Sequence, residues 1–284
     1  MKNFSKNIAL ASVALLAVSC SNNDSIIDDQ PESTKVKLEF TISSEAEPTR
    51  AQFVDLTGTS YAVTWEVGDE LSAFSCQTGS VHAAETMTVT ELKTGKSKNA
   101  AYCSGDVTKS TIGYNVAYPT TCSPTTSAAH VIETSIPAQQ KATLNNADKS
   151  AIVMVAWADP DASLVTMYHV GAYLDFDIVS TDIKSIKLET VKDGYYIAGG
   201  ISSTVSNSGI TSTSAGSLTG STSVELTNNG SAFEAGEYVI VVRPGNYSDG
   251  IKLTLTKTDG STVTKTTTSL TNVQQAYLYE CGQW

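Results

Sequence analysis

The sequence has few basic residues and no long hydrophobic run. It contains only two arginines and three histidines among 284 residues, and its formal net charge is −11. Proteins that bind nucleic acid need clustered Lys and Arg to neutralise phosphates, so this charge argues against a nucleic-acid partner. The apolar run near the N-terminus, residues 8–18, has 11 residues. A membrane-spanning helix needs roughly 20 apolar residues, so this run is too short to be one.

Recognisable catalytic and metal-binding motifs are also missing. The histidines stand in unrelated contexts, without an HExxH motif or a GxSxG elbow: His82, His130 and His169. Asp159 and Asp161 could bind Ca²⁺ as loop carboxylates, but they lack the DxDxDG spacing of a calcium loop. We therefore predict no catalytic residue, no cofactor and no metal site, and we expect that the protein is not an enzyme.

Cysteines are few and are not spaced for zinc. The chain has five cysteines, none in a CxxC pair. Apart from Cys20, they could form two disulfides by three connectivities if the chain is exported: Cys76, Cys103, Cys122 and Cys281. We expect a Cys103–Cys122 pair, because these cysteines flank a predicted strand pair. Free buried thiols remain the alternative.

The N-terminal residues are typical of a bacterial lipoprotein signal. Lys2 and Lys6 precede the apolar run, and Leu16-Ala17-Val18-Ser19-Cys20 resembles a lipobox, in which small residues precede a Cys that becomes the diacylated N-terminus. We predict that residues 1–20 are a signal peptide and that Cys20 carries lipid, which would anchor the protein to a membrane. The alternative is an ordinary secretory signal in which Cys20 is incidental.

The stretch from Lys35 to Ala51 predicts a strand followed by a cleavable loop. Its first half alternates between polar residues and apolar ones on the opposite face: Val36, Leu38, Phe40 and Ile42. A period of two indicates a half-buried β-strand. The second half is polar, contains a proline and ends at Arg50.

Arg50 is the better of the two arginine targets for a protease. The other arginine, Arg243, is followed by Pro244, and trypsin-like proteases normally do not cleave the bond before a proline. The sequence therefore predicts cleavage of the Arg50–Ala51 bond by an arginine-specific or trypsin-like protease. Residues 21–50 would then be a propeptide, made of a polar tether and the strand. An ordinary first strand and linker is the alternative.

The rest of the chain predicts an all-β protein. Alternating runs recur every 8 to 12 residues, separated by turn signals such as Gly68-Asp69, Asp249-Gly250 and Asp259-Gly260. This pattern favours β-sandwiches, and the length fits two of them in tandem. A composition shift at residues 159–163 places the boundary, which gives an N-terminal domain of residues 51–162 and a C-terminal domain of residues 163–284.

A strand that can be cut away suggests strand exchange. Loss of Lys35–Ile42 would expose an apolar groove and unpaired edge groups, which a strand from another subunit could fill. The candidate donor is the C-terminal segment Asn272–Trp284, with three apolar anchors: Tyr277, Leu278 and Tyr279. A head-to-tail exchange of this kind does not close and makes a fibre.

Several motifs, taken in order, resemble those of the fimbrillins, the fimbrial subunits of Bacteroidales. They are the signal ending at Cys20, Pro48-Thr49-Arg50-Ala51, Thr64–Asp69, Ile136–Gln140, His169–Ile178, Ile183–Leu188 and Ala198-Gly199-Gly200. The resemblance implies two transthyretin-like β-sandwich domains and export as a lipoprotein. It also implies removal of the N-terminal strand by an arginine- or trypsin-like protease, followed by polymerisation through strand exchange. In this chain it assigns the lipid to Cys20 and the cut to Arg50–Ala51.

The functional expectation is a stalk or tip subunit of surface fimbriae that supports adhesion. Its expected partners are other fimbrial subunits and the processing protease, and its expected location is the outer membrane and cell surface. The alternative is a surface lipoprotein that stays uncut and binds glycan or host protein.

Overall fold

Alternating apolar and polar residues fold this chain almost entirely into β-strands. In Val131–Ile136, for example, every second residue is buried, as the period of two requires. The computed structural model describes residues 35–44, 64–93, 100–192, 194–267 and 270–284, all within one compact unit, Thr34–Trp284. The predicted all-β class is confirmed.

The described residues form 23 strands and two short 3-10 helices, Thr120–Cys122 and Lys149–Ala151. The first twelve strands are β1 (Lys35–Ser44), β2 (Glu70–Gln77), β3 (Ser80–Val81), β4 (Glu85–Leu92), β5 (Ala100–Thr108), β6 (Gly113–Tyr118), β7 (Thr125–Ala128), β8 (Val131–Ile136), β9 (Gln139–Lys141), β10 (Asn146–Ala147), β11 (Met154–Ala158) and β12 (Leu164–His169). The others are β13 (Ala172–Ile178), β14 (Ile183–Thr190), β15 (Ala198–Ser206), β16 (Gly209–Ser221), β17 (Ser223–Thr227), β18 (Gly236–Val242), β19 (Gly245–Tyr247), β20 (Ile251–Lys257), β21 (Thr262–Thr266), β22 (Leu270–Val273) and β23 (Leu278–Gln283).

The largest sheet closes on itself. Its order is β2-β4-β5-β1-β12-β11-β6, and β6 pairs back onto β2, which makes a ring of seven strands. Strand β3 extends β2 as an added hairpin. We call this ring the closed sheet. Closure satisfies the backbone groups that an open edge would leave unpaired.

The remaining strands form four smaller sheets. Their orders are β10-β18-β13-β23, β21-β20-β14-β17-β9, β16-β15-β8-β7 and β19-β22. Three of these sheets combine short strands from before residue 162 with strands from after it. Most residues of the Ser/Thr/Gly-rich stretch 202–223 lie in strands, chiefly in β16, which is at the end of its sheet.

The composition shift at residues 159–163 marks a turn inside the closed sheet. Ala162 donates a backbone hydrogen bond to Asp159 at 3.0 Å, and the flanking strands β11 and β12 pair with each other. Residues rich in Asp and Pro favour tight turns, which explains the shift without a domain boundary. The sheets do not separate residues 51–162 from residues 163–284, so the division into tandem domains stays a prediction.

The hairpin predicted around Gly68 is only partly formed among the described residues. Gly68 adopts the positive φ (+96°) that the predicted turn needs, and β2 follows it. On the other side of the turn, residues 64–66 form no strand. Instead, Trp65 is buried edge-on against Tyr118, with ring centroids 5.0 Å apart, so its side chain forms part of the hydrophobic core.

Candidate functional site

Strand β1 is an integral member of the closed sheet. It runs antiparallel to β5 along nine residue pairs, from Lys35 opposite Thr108 to Ser43 opposite Ala100. On its other side it runs parallel to β12, with Thr41 opposite Leu164. Thr41 also donates a backbone hydrogen bond to Ser163 at 3.0 Å. In the sheet order, β1 alone lies between β5 and β12.

The apolar face of β1 points into the core. The exposed fractions of Leu38, Phe40 and Ile42 are 6%, 3% and 0%, and Val36 is partly buried against the same core. On β5, the residues opposite three of these four side chains are small: Gly105, Cys103 and Ala101. Large side chains on β1 therefore sit beside small ones on β5, which makes the contact complementary in size.

A charge pair of modest strength joins the polar face of β1 to β4. Lys35 lies 3.0 Å from Glu85 of β4, whereas Lys37 and Glu39, 2.6 Å apart, both belong to β1. Burial raises the pKa of Glu85, but the Thr108 N–H and Lys35 outweigh it, and the net pKa is lowered. Exposed pairs of this kind contribute little to stability. The apolar face must therefore supply most of the free energy that holds β1.

The predicted cleavage and lipidation sites, Cys20, Arg50 and Ala51, lie outside the described residues. The other arginine is described, and it directly follows strand β18. Its backbone N–H donates to Ile197 at 2.8 Å, and its carbonyl accepts a hydrogen bond from the Tyr247 hydroxyl at 2.6 Å. The backbone of Arg243 is thus fixed on both sides, in addition to being followed by Pro244.

The candidate donor residues are docked on the chain's own sheet. Strand β23 runs parallel to β13, with Leu278 opposite Tyr173 and Tyr279 opposite Leu174. Leu278 is buried, whereas Tyr277 and Tyr279 are partly buried. These residues therefore lie in β23 or directly before it, in a different sheet from β1.

Backbone hydrogen bonds hold both ends of this C-terminal strand. At its start, Ala276 donates to Gly171 at 2.8 Å, and Tyr173 donates to Tyr277 at 2.9 Å. At its end, Trp284 donates to Asp177 and Val179 donates to Trp284, both at 2.9 Å. The strand lies at the end of its sheet, with a neighbour on one side only in the order of the described strands. It can therefore leave without breaking pairing between other strands.

Asp175 is a functional candidate that sequence reasoning missed. It lies on β13 directly opposite Glu280 on β23, and its exposed fraction is only 6%. Burial raises its pKa to about 7, and the charges of Glu237, Glu280 and Asp177 act in the same direction. The available signal was the Leu-Asp-Phe-Asp-Ile pattern, in which acids alternate with apolar residues on a strand that is buried on both faces.

The remaining polar candidates have structural roles. His169 Nδ1 lies 2.5 Å from the buried Tyr173 hydroxyl, and His130 stacks on Trp157 at 3.7 Å. The Asp159 carboxylate accepts hydrogen bonds from the Trp157 indole at 2.9 Å and from Asn207 at 2.7 Å. Within the described residues, no group of three or more His, Cys, Asp or Glu side chains could hold a metal ion. The described part of the chain also has no helix with the length and apolarity to cross a membrane.

All four described cysteines are free thiols: Cys76, Cys103, Cys122 and Cys281. The expected Cys103–Cys122 disulfide is wrong, and the alternative of free thiols holds. Burial raises the pKa of Cys103 and of Cys122 to about 12, so both stay protonated and unreactive at neutral pH. These side chains act as small apolar residues in the core.

Comparisons with known proteins find likeness only among solved structures. No protein-family model matches the chain, and no curated protein matches its sequence. The structures it resembles are candidate cell-adhesion proteins and fimbrial proteins of Bacteroidales. A candidate cell-adhesion protein from Bacteroides uniformis is 14% identical, with 88% of this chain and 93% of that chain covered and a TM-score of 0.49.

Two fimbrial proteins give lower scores. A fimbrial protein from Bacteroides ovatus is 10% identical, with 85% of this chain and 47% of that chain covered and a TM-score of 0.42. The tip fimbrial protein Mfa3 from Porphyromonas gingivalis, truncated at its C-terminus, is 12% identical, with 87% and 94% covered and a TM-score of 0.36. Identities and TM-scores of this size do not assign a function to the chain.

Proposed function

We propose that this protein is a structural subunit of cell-surface fimbriae that supports adhesion. In this proposal, it is exported as a lipoprotein on Cys20 and cut after Arg50. It then polymerises when a strand from another subunit takes the place of β1. Its partners are other fimbrial subunits, the processing protease and, before maturation, the membrane that holds the lipid.

The observation that carries the proposal is the position of β1 in the closed sheet. The strand lies between β5 and β12, and the chain between it and β2 contains Arg50. A cut after Arg50 separates β1 from everything that follows without breaking any other strand that the structure describes. Its departure would open the ring and leave two strand edges facing a groove. Such edges readily accept an added strand.

The free energy of burial favours replacement of β1 by another strand over loss of β1 alone. Burying the apolar side chains of β1 contributes roughly 1.5–3 kcal/mol for each fully buried residue. Leu38, Phe40 and Ile42 are buried to that degree. A cut strand is therefore held noncovalently, and an incoming strand with a similar apolar pattern can replace it. The replacement must run along β5 and present apolar side chains opposite Gly105, Cys103 and Ala101.

The two arginines differ in a way that supports a single cut. The Arg243 backbone is hydrogen-bonded at both its N–H and its carbonyl, and Pro244 follows it. Proteases bind their substrates as extended, unpaired backbone, so hydrogen-bonded backbone resists cleavage. Arg50 is then the better target for a protease that requires arginine.

Replacing Arg50 tests the proposal. The variant Arg50→Ala should be exported and lipidated normally, but it should keep residues 21–50 and form no fibres. The matched control is Glu47→Ala, a charge change three residues earlier, which should be cut and should assemble as the unmodified chain does. Electron microscopy of the cell surface and mass spectrometry of the subunit give the two readouts.

Two outcomes would contradict the proposal. If Arg50→Ala still makes fibres from uncut subunits, maturation at Arg50 is not required. If the unmodified protein stays uncut on the cell surface, the alternative of an uncut surface lipoprotein that binds glycan or host protein takes its place. The variant Arg50→Lys further separates the proteases, because a trypsin-like enzyme should still cut it whereas an arginine-specific enzyme should not.

A further inference from the structure

Four carboxylates lie on adjoining strands where the C-terminal strand docks. On β13, Asp175 is directly opposite Glu280 of β23, and Asp177 is directly opposite Glu237 of β18. Asp175 and Asp177 are two residues apart on one strand, so their side chains lie on the same face. Like charges placed directly opposite each other destabilise strand pairing. The contact between β13 and β23 therefore contains its own repulsive element.

Asp175 is the buried member of this group. Its Oδ1 atom has no hydrogen-bond partner among the described residues, although the Phe176 backbone N–H bonds to the carboxylate. Glu280 on the docked strand is exposed, whereas Asp177 and Glu237 are partly buried. A buried carboxylate without full hydrogen bonding is costly when ionised and much less so when protonated.

The other titratable groups near Asp175 do not offset its charge. Asp177 lies on the same strand, Glu237 lies on β18, and Glu280 lies on β23. The remaining group is Cys281 on β23, whose pKa is raised to about 12 by burial and then by the charge of Asp175, so that it is neutral. None of these groups is basic. Ionisation of Asp175 is therefore opposed from both neighbouring strands.

The backbone that leads into β23 is strained as well. Ala276 has a φ of +62°, and Asn272 has a φ of +58°. Asparagine tolerates this left-handed region, but alanine rarely adopts it. Ala276 is held there by its hydrogen bond to Gly171. When β23 leaves the sheet, Ala276 can return to an ordinary conformation, so release relieves strain at the hinge.

We propose that protonation of Asp175 controls the docking of the C-terminal strand. With a proton on Asp175, β23 stays on β13, whereas ionisation of Asp175 beside Glu280 favours its release. The biological role of this release rests on the proposed function, because a released strand is the form that could enter the groove of another subunit. The switch itself is a property of the single uncut chain.

The direction of the pH dependence follows from linkage. Asp175 has a pKa of about 7 in the docked state, above its ordinary value of 3.8. When β23 leaves, Asp175 loses the Glu280 charge and its contact with β23, and its pKa falls toward the ordinary value. The docked state therefore binds the proton more tightly. Docking is strongest at acidic pH and weakens as the pH rises toward and through about 7.

Hydrogen exchange on the purified uncut protein tests this inference. Protection factors, corrected for the intrinsic pH dependence of exchange, should be measured for residues 276–284 at pH 5.5 and pH 8. We expect protection of this segment to fall by at most about thirtyfold at pH 8, because pH 5.5 lies 1.5 units below the docked pKa of about 7 and each unit represents a factor of ten. Protection in the closed sheet, for example in β5, should stay constant.

Three variants complete the test. Asp175→Asn should remove most of the pH dependence. Glu280→Gln should reduce it, because burial and Glu237 still act on Asp175, and Glu280 is exposed, so its replacement does not threaten folding. The control Glu225→Gln, on β17 in another sheet, should keep the pH dependence. Equal protection at both pH values, or an unchanged pH dependence in both test variants, would overturn the switch. If the docking of β23 depends on pH as expected but the protein never forms fibres, the proposed function is overturned and the switch stands.

Discussion

At the scale of single residues, the inward side chains of β1 decide how firmly it is held. The alternation of Val36, Leu38, Phe40 and Ile42 was readable from the sequence because a strand has a period of two. Their small partners on β5 were not readable, since the pairing joins residues about 60 positions apart. The setting of Asp175 could not be predicted for the same reason. Its partner Glu280 lies on β23, about 100 residues later.

Ile42→Ala should weaken the uncut protein but not the mature subunit. Ile42 is fully buried, so the substitution should lower the free energy of unfolding by about 2–5 kcal/mol. Urea denaturation of the uncut protein measures this loss. The matched control Lys37→Ala changes an exposed residue of the same strand and should cost at most about 0.5 kcal/mol. If Ile42→Ala also weakened fibres made of cut subunits, β1 would not have been removed.

At the scale of elements, the sequence predicts strands better than it predicts their partners. The predicted strand Lys35–Ile42 forms as Lys35–Ser44, but its parallel neighbour β12 comes from beyond the expected domain boundary. The boundary residues Asp159–Ser163 form a turn between paired strands, which local composition cannot distinguish from a linker. Residues 64–66, which precede the predicted turn at Gly68, form no strand; instead Trp65 is buried against Tyr118, a contact that only tertiary packing creates.

A cut alone should not release β1. Its buried side chains and its pairing with β5 remain after the Arg50–Ala51 bond is broken. Brief treatment of the uncut protein with trypsin should therefore yield a fragment ending at Arg50 that co-elutes with the chain beginning at Ala51 in native gel filtration. The two should separate in denaturant. Immediate loss of the fragment under native conditions would mean that the closed sheet does not hold β1.

At the scale of the whole molecule, β1 is one member of a ring of seven strands, and in our proposal a single cut detaches it. The all-β class follows from the recurrent alternating runs, which reflect local physics. Ring closure, and the mixing of strands from both halves of the chain in the smaller sheets, depend on long-range pairing. The sequence therefore predicted β1 as a strand, and its removal stays a prediction. It did not predict what removal opens, which is a closed sheet with edges at β5 and β12.

The most direct test of this account is the N-terminal residue of subunits taken from assembled surface fibres. The fibres should be purified from cells, dissociated in denaturant and sequenced from the N-terminus or by mass spectrometry. We predict that the chains begin at Ala51 and contain no peptide from Lys35 to Arg50. Chains that begin at the lipidated Cys20, or that retain Lys35–Ser44, would contradict the central claim that β1 is removed and replaced.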